Sequence, residues 1–172
     1  MTNEMFTLTH PAYNKVILDG VEIDRDSRAS YNRDVFIGEK YVVKFDGGSG
    51  SGGYPNQGEI ELEVWNRFKD TDLSKHLAPV LQAGYLNGKF YVIQERIVEN
   101  WDKEQFTEID ARLFIREVLI NQHSFRDTHS GNWIVRDNIV VMIDLGFGCS
   151  GVSSPDSCSS YYDSDYIDSD YS

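Results

Sequence analysis

Three things are scarce in this chain, and each scarcity closes off a class of protein. No stretch of the 172 residues approaches the ~20 consecutive apolar residues that a membrane-spanning helix needs, although apolar types make up 40% of the whole. Positive charge is short. The 16 Lys and Arg face 28 Asp and Glu, and a formal net charge of −12 argues against an electrostatic grip on nucleic-acid phosphates. Cysteine is limited to Cys149 and Cys158, late in the chain and without a partner motif. Two free thiols are therefore expected rather than a disulfide framework. Met1 to Met5 also lack the basic start and apolar run of a signal peptide, which makes the cytoplasm the expected compartment. Neither a membrane nor a nucleic acid is an expected partner.

What is present suits one soluble domain with a real core. The acidity is uneven. Residues 149–172 hold Asp156, Asp163, Asp165, Asp168 and Asp170 with no Lys or Arg, which leaves −7 for the rest. That segment is otherwise mostly Ser and Tyr, a composition too poor in apolar surface to order itself, and it reads as a disordered tail.

The first 97 residues carry the marks of strands. Val16-Ile17-Leu18 and Val21-Glu22-Ile23 flank Asp19-Gly20, a pair that supplies the positive φ angles of a tight hairpin. Val35–Ile37 and Tyr41–Phe45 flank a second turn, and Tyr85–Ile93 folds over Asn87-Gly88. Gly47 to Gly53 is a flexible loop by composition, without the Lys-Ser/Thr ending of a P-loop. Between these, residues 59–68 have helical periodicity, with Ile60, Val64, Trp65 and Phe68 on one face. About five strands and one helix are expected, as an antiparallel sheet with the helix packed on it. Residues 98–148 differ. Asp110–Gln122 predicts a helix apolar on most sides, as a buried central helix would be. A polar loop at 126–132 follows, then two short apolar strands around a turn at 136–138.

Several polar residues stand where burial is expected. Glu61 shares the apolar face of its helix, which is costly for a carboxylate unless it is paired. The cation best placed to meet it is Lys44, on an apolar strand of the sheet that the helix should cover. Asp127 and Asn132 lie five residues apart in the polar loop, and Asp144 ends an apolar strand just before Leu145-Gly146. A zinc reading of His123 and His129 fails for want of further ligands.

The order Lys, helix Glu, Asp-x-x-x-x-Asn, strand-end Asp-x-Gly resembles that of the protein kinase-like superfamily, over roughly residues 16–148. Asp127-Thr128-His129-Ser130-Gly131-Asn132 has the Asp-x-His-x-x-Asn form of aminoglycoside and choline kinases. It is also similar to the Asp-x-His-Ser-Gly-Asn loop of small early protein kinases of tailed bacteriophages. The resemblance implies an α+β, two-lobed fold: an N-lobe over 1–97, a minimal, strongly truncated C-lobe over 98–148, and the tail over 149–172. It implies ATP and Mg2+ as the cofactors. Asp127 would be the base, and Lys44, fixed by Glu61, would grip phosphate. Asn132 and Asp144 would hold the metal. Backbone groups at Glu95 and Ile97 would meet adenine. The family's glycine-rich loop falls between Asp24 and Asp34, where this chain has no glycine, and Ser27, Ala29 and Ser30 are the small residues that could approach phosphate instead. Phe125 stands where the family usually has His.

Three functions stay open on these residues. One is an ATP- and magnesium-dependent kinase acting on Ser/Thr of proteins, its own tail included, and plausible as a phage protein working on host proteins in the host cytoplasm. Another is a pseudokinase that binds nucleotide and acts through a partner protein. The third is a decoy or inhibitor that works through its acidic tail.

Overall fold

A computed structural model describes residues 5–28, 33–47, 56–146 and 148. The described residues form a mixed helix-and-sheet structure with three small sheets, all antiparallel. Strands β1 (Leu8–Ala12), β2 (Lys15–Leu18) and β3 (Val21–Asp24) form the first, in that order. Strands β4 (Arg33–Ile37), β5 (Tyr41–Asp46), β6 (Val80–Leu86) and β7 (Lys89–Glu95) form the second, in the order β4-β5-β7-β6. Strands β8 (Trp133–Arg136) and β9 (Ile139–Met142) form a separate hairpin. Helix α1 (Gln57–Phe68) follows β5, and helix α2 (Glu108–Phe114) runs on into a π-helical turn over Ile115–Ile120.

The four expected hairpins are present, and three of them turn on two successive residues of positive φ. Asp19 and Gly20 take φ of 49° and 81°, Asn87 and Gly88 take 51° and 77°, and Asp137 and Asn138 take 53° and 60°. The expected single sheet of about five strands is instead seven strands in two sheets. Leu8–Ala12 adds an edge strand with Pro11 inside it, where a missing N–H costs no ladder bond if it faces outward. A bridge between Arg25 and Phe36, the bond from the Asp26 amide to the Val35 carbonyl (2.8 Å) and the Arg25–Asp34 ion pair (2.8 Å) tie the end of β3 to β4.

Strand β5 shows how the layers stack. Val43 and Phe45 point to one side, into a cluster with Val16, Leu18, Phe36 and Ile93 between the two sheets. Lys44 and Asp46 therefore point to the other side, where α1 packs. Helix α1 buries Ile60, Glu61, Val64 and Phe68. The apolar members of that face join a second cluster with Ala111, Ile115 and Leu119 from the α2 region and with Trp133, Val135, Val140 and Met142 from the last hairpin.

The α2 region corrects one expectation. It buries Ala111, Ile115 and Leu119 but leaves Ile109, Leu113 and Ile120 at 60%, 42% and 38% exposure. Apolar residues around a helical wheel show what could be buried, whereas the neighbours that cover it decide what is, and among the described residues only one face is covered. The helix starts at a capping box, in which Thr107 and Asp110 bond each other's backbone amides. No described helix is long and apolar enough to cross a membrane.

Candidate active site

Five of the expected residues come together where the second sheet, α1 and the last hairpin meet. Lys44 Nζ lies 2.9 Å from Glu61 Oε1 and 2.6 Å from the carbonyl oxygen of Ile143, the residue before Asp144. The Leu145 amide donates to the same Glu61 oxygen at 3.3 Å. Glu61 of α1 and Lys44 of β5 thus bond the backbone on the two sides of Asp144.

Asn132 joins the other two. Its Nδ2 donates to Asp127 Oδ2 at 2.9 Å and to the Asp127 carbonyl at 2.8 Å, while its own carbonyl accepts from the amides of Ile143 (2.9 Å) and Asp144 (3.4 Å). Asp127 has φ of 52°, a left-handed conformation that a residue with a side chain adopts at a cost. The clasp with Asn132 is what holds it there. His129 Nδ1 accepts from the Gly131 amide at 3.0 Å, and its Nε2 stands 3.4 Å from Asp127 Oδ1.

Three residues missed in the sequence complete the arrangement. Arg33 is 2% exposed and lies 2.8 Å from Glu61 Oε2, 3.3 Å from Asp46 Oδ1 and 3.6 Å from Asp144 Oδ1. Gln94 donates to Glu61 Oε1 at 2.9 Å, and both oxygens of Asp46 take the Gly58 amide at the start of α1. A signal for them exists. Strand β5 is buried on both faces, so charges alternating with Val43 and Phe45 need partners. The hairpin register sets Arg33 opposite Asp46.

Burial works against the charge of Glu61, but Lys44 and Arg33 outweigh it and hold the carboxyl down at about 2. Burial also opposes the charge of Arg33, and Glu61, Asp144 and Asp46 together outweigh it, so the guanidinium stays protonated. At Asp46 burial prevails over Arg33 and Gly58 and pushes the carboxyl up.

The donor set fits a hard divalent cation. Both neighbours of the Asn132 amide nitrogen are acceptors, which turns its Oδ1 away from Asp127. Asp144 offers a second hard oxygen one hairpin rung away. Among the described residues no group of three His, Cys, Asp or Glu is placed to hold a metal by itself. Two protein oxygens with the rest from water and phosphate is the pattern magnesium favours.

The remaining expected residues are placed differently. The Glu95 amide donates to the Pro79 carbonyl (3.1 Å), and its carboxylate pairs with Arg136 at 2.7 Å. Ile97 is buried with Ala78 and Val141 beside the last hairpin. Ser27 sits in an exposed turn, and Ala29 and Ser30 lie outside the described residues. So do most of the Gly47–Gly53 loop and all of the tail at 149–172.

No family model matches the chain, and no curated protein matches it by sequence. By structure it is similar to WbdD solved with the kinase inhibitor LY294002, at 16% identity and a TM-score of 0.49 over 77% of this chain and 34% of that one. A second structure, of the bifunctional kinase-methyltransferase WbdD, gives 15% and 0.47 over 77% and 36%. The Legionella pneumophila Lpg2603 kinase bound to IP6 gives 16% and 0.47 over 85% and 62%. The chain spans about a third of the length of these WbdD chains. Likenesses at this level establish neither fold nor activity, and the site rests on its own geometry.

Proposed function

We propose that the chain is an ATP- and magnesium-dependent phosphotransferase of the protein kinase type, with a two-lobed fold and a shortened second lobe. One observation carries this reading: Lys44, held by buried Glu61, reaches the carbonyl just before Asp144, while Asn132 clasps Asp127 with its side chain and accepts from the Asp144 amide with its carbonyl. Phosphoryl transfer needs a fixed cation for phosphate, oxygen ligands for magnesium, and a carboxylate for the attacking hydroxyl, and these five residues supply that set.

ATP supplies the transferable phosphoryl group, and magnesium neutralises phosphate charge. Lys44 has a third N–H beyond its two bonds and binds phosphate with it. Asn132 and Asp144 hold the metal. Asp127 orients the acceptor hydroxyl and takes its proton as the new O–P bond forms and ADP departs. The Ile97 amide is the hinge donor to adenine, since the Glu95 and Arg96 amides are bonded to Pro79 and Lys40. The acceptor is proposed to be Ser or Thr of proteins, with the Ser-rich tail as a self-substrate. The loop at 127–132 suggests host proteins, met in the host cytoplasm, as the targets of a phage kinase.

The pseudokinase reading has one observation in its favour: the segment standing for the glycine-rich loop has no glycine, and Ser27 lies in an exposed turn. Transfer of labelled γ-phosphate from ATP with magnesium separates the two. Wild type should gain phosphate, and Asp127→Asn, unable to accept a proton, should lose at least ~100-fold in rate with ATP binding intact. Clear ATP binding with no transfer to itself or to any offered protein would favour the pseudokinase.

A further inference from the structure

We propose that Arg33 is the positioning residue of the metal site, setting which oxygen of Asp144 faces the cation. The inference rests on the phosphotransferase reading and adds a residue that lies outside the Lys, Glu, Asp-x-x-x-x-Asn, Asp-x-Gly pattern.

Arg33 opens β4 at the end of the segment where a glycine-rich loop was expected. Its guanidinium joins four parts of the chain: β4 itself, Asp46 on β5, Glu61 on α1 and Asp144 after β9. Asp144 Oδ1 accepts from the Gly146 amide at 3.0 Å and lies 3.6 Å from Arg33 Nη1. With Oδ1 turned inward, Oδ2 is the oxygen left on the exposed side of a side chain that is 37% accessible. Rotation of the carboxylate would bring both oxygens into competition for the metal and the guanidinium. Arg33, hydrogen-bonded to Glu61 and ion-paired with Asp46, restricts that freedom.

The helix takes part. A Cβ at Gly146 would stand 3.0 Å from Gln57 Cβ, so the first turn of α1 rests directly on the turn that follows Asp144. Arg33 holds that turn from the other side through Asp46, which binds the Gly58 amide. The places of α1 and of Asp144 are therefore set together.

The test is a magnesium titration read as the ATP-dependent rise in melting temperature, in wild type, Arg33→Met and Arg33→Lys. Partners that orient a metal ligand are worth roughly 10–100-fold in metal affinity. Arg33→Met should need at least ~10-fold more magnesium for the half-maximal rise. Arg33→Lys, which keeps charge but not the fork, should fall between. A residue that only stabilised the fold would lower every melting temperature without moving the magnesium midpoint, and that result overturns the inference. If Arg33→Met does not fold, Arg33→Met/Asp46→Leu removes the stranded carboxylate with it. The wild type also provides a test without any variant: the Arg33 guanidinium resonances should shift with the same magnesium midpoint, and resonances that stay still overturn the proposal. A wild type indifferent to ATP and magnesium defeats the phosphotransferase reading itself. A responsive wild type with an unchanged midpoint in the variants defeats only the role of Arg33.

Discussion

Replacing Glu61 by Gln changes one atom in a fully buried site, and the surroundings say what it should cost. Oε1 receives Lys44, Gln94 and the Leu145 amide, and Oε2 receives Arg33. A glutamine must put its NH2 at one of these two positions, so one cation meets a donor. Arg33 keeps Asp46 and Asp144, whereas Lys44 keeps the Ile143 carbonyl. Breaking a buried pair from one side costs about 3–5 kcal/mol, chiefly because a charge is left uncompensated. For a domain of this size, 1 kcal/mol moves the melting temperature by about 2–4 °C, which makes the expected loss roughly 10 °C. Urea unfolding at pH 7, followed by the fluorescence of Trp65, Trp101 and Trp133, measures it. Adding Lys44→Met to Glu61→Gln removes the stranded cation, and the double variant should recover at least ~1 kcal/mol over the single one. A single variant that loses less than ~1 kcal/mol, or a double variant no better than the single, would refute the claim that Glu61 compensates buried cations.

Acid should act on the same group. The Glu61 carboxyl is held at about 2 against 4.5 in the unfolded chain, so its contribution, roughly 3 kcal/mol, is complete above pH 4.5 and lost as pH falls towards 2. Urea midpoints at pH 7, 4.5 and 3 should drop over the last interval by more in wild type than in Glu61→Gln, and equal drops would contradict this; Asp46, pushed up by burial, opposes the trend in part. Gly58→Ala should cost about 1–3 kcal/mol despite the better helix propensity of Ala, because the new Cβ would stand 2.8 Å from Phe90 Cδ1. Phe90→Leu in the same chain should restore part of that loss in a thermal melt, and a neutral Gly58→Ala would show that the ring yields freely.

Some of this was legible in the residues. Hairpins with Asp-Gly, Asn-Gly and Asp-Asn turns were readable because a positive φ at two successive residues suits few residue types. The face of α1 was readable because Ile60, Val64 and Phe68 recur at helical spacing. Lys44 and Glu61 were found through cost, as charges on faces that had to be buried. Arg33 was passed over because it stands at the start of its strand, next to Asp34, in a stretch that reads as polar loop. Only the register against β5 shows that it points inward with Asp46. The division into two sheets was missed for a similar reason: Leu8–Ala12 is short, holds a proline and buries little, so its strand character comes from its partner. The exposed side of the α2 region could not be read at all, since it depends on what packs there rather than on the helix.

The charges around α1 bear on why the site has this form. Apolar side chains of similar volume could fix a helix against a sheet at no greater cost, because charge pairs brought out of water gain little or nothing in net stability. Yet Arg33, Lys44, Asp46 and Glu61 are all buried here, and each is 8% exposed or less. What charges add is direction. A leucine at position 61 would accept many small shifts of α1, whereas a carboxylate shared by Lys44, Arg33, Gln94 and the Leu145 amide is satisfied in one place. That place also brings Lys44 to the Ile143 carbonyl and leaves Asp144 between two bonded neighbours. Clusters of buried ionisable groups occur disproportionately at functional sites. A cluster that turns the position of a helix into the position of one lysine and one aspartate is what the proposed phosphoryl transfer requires of those two residues.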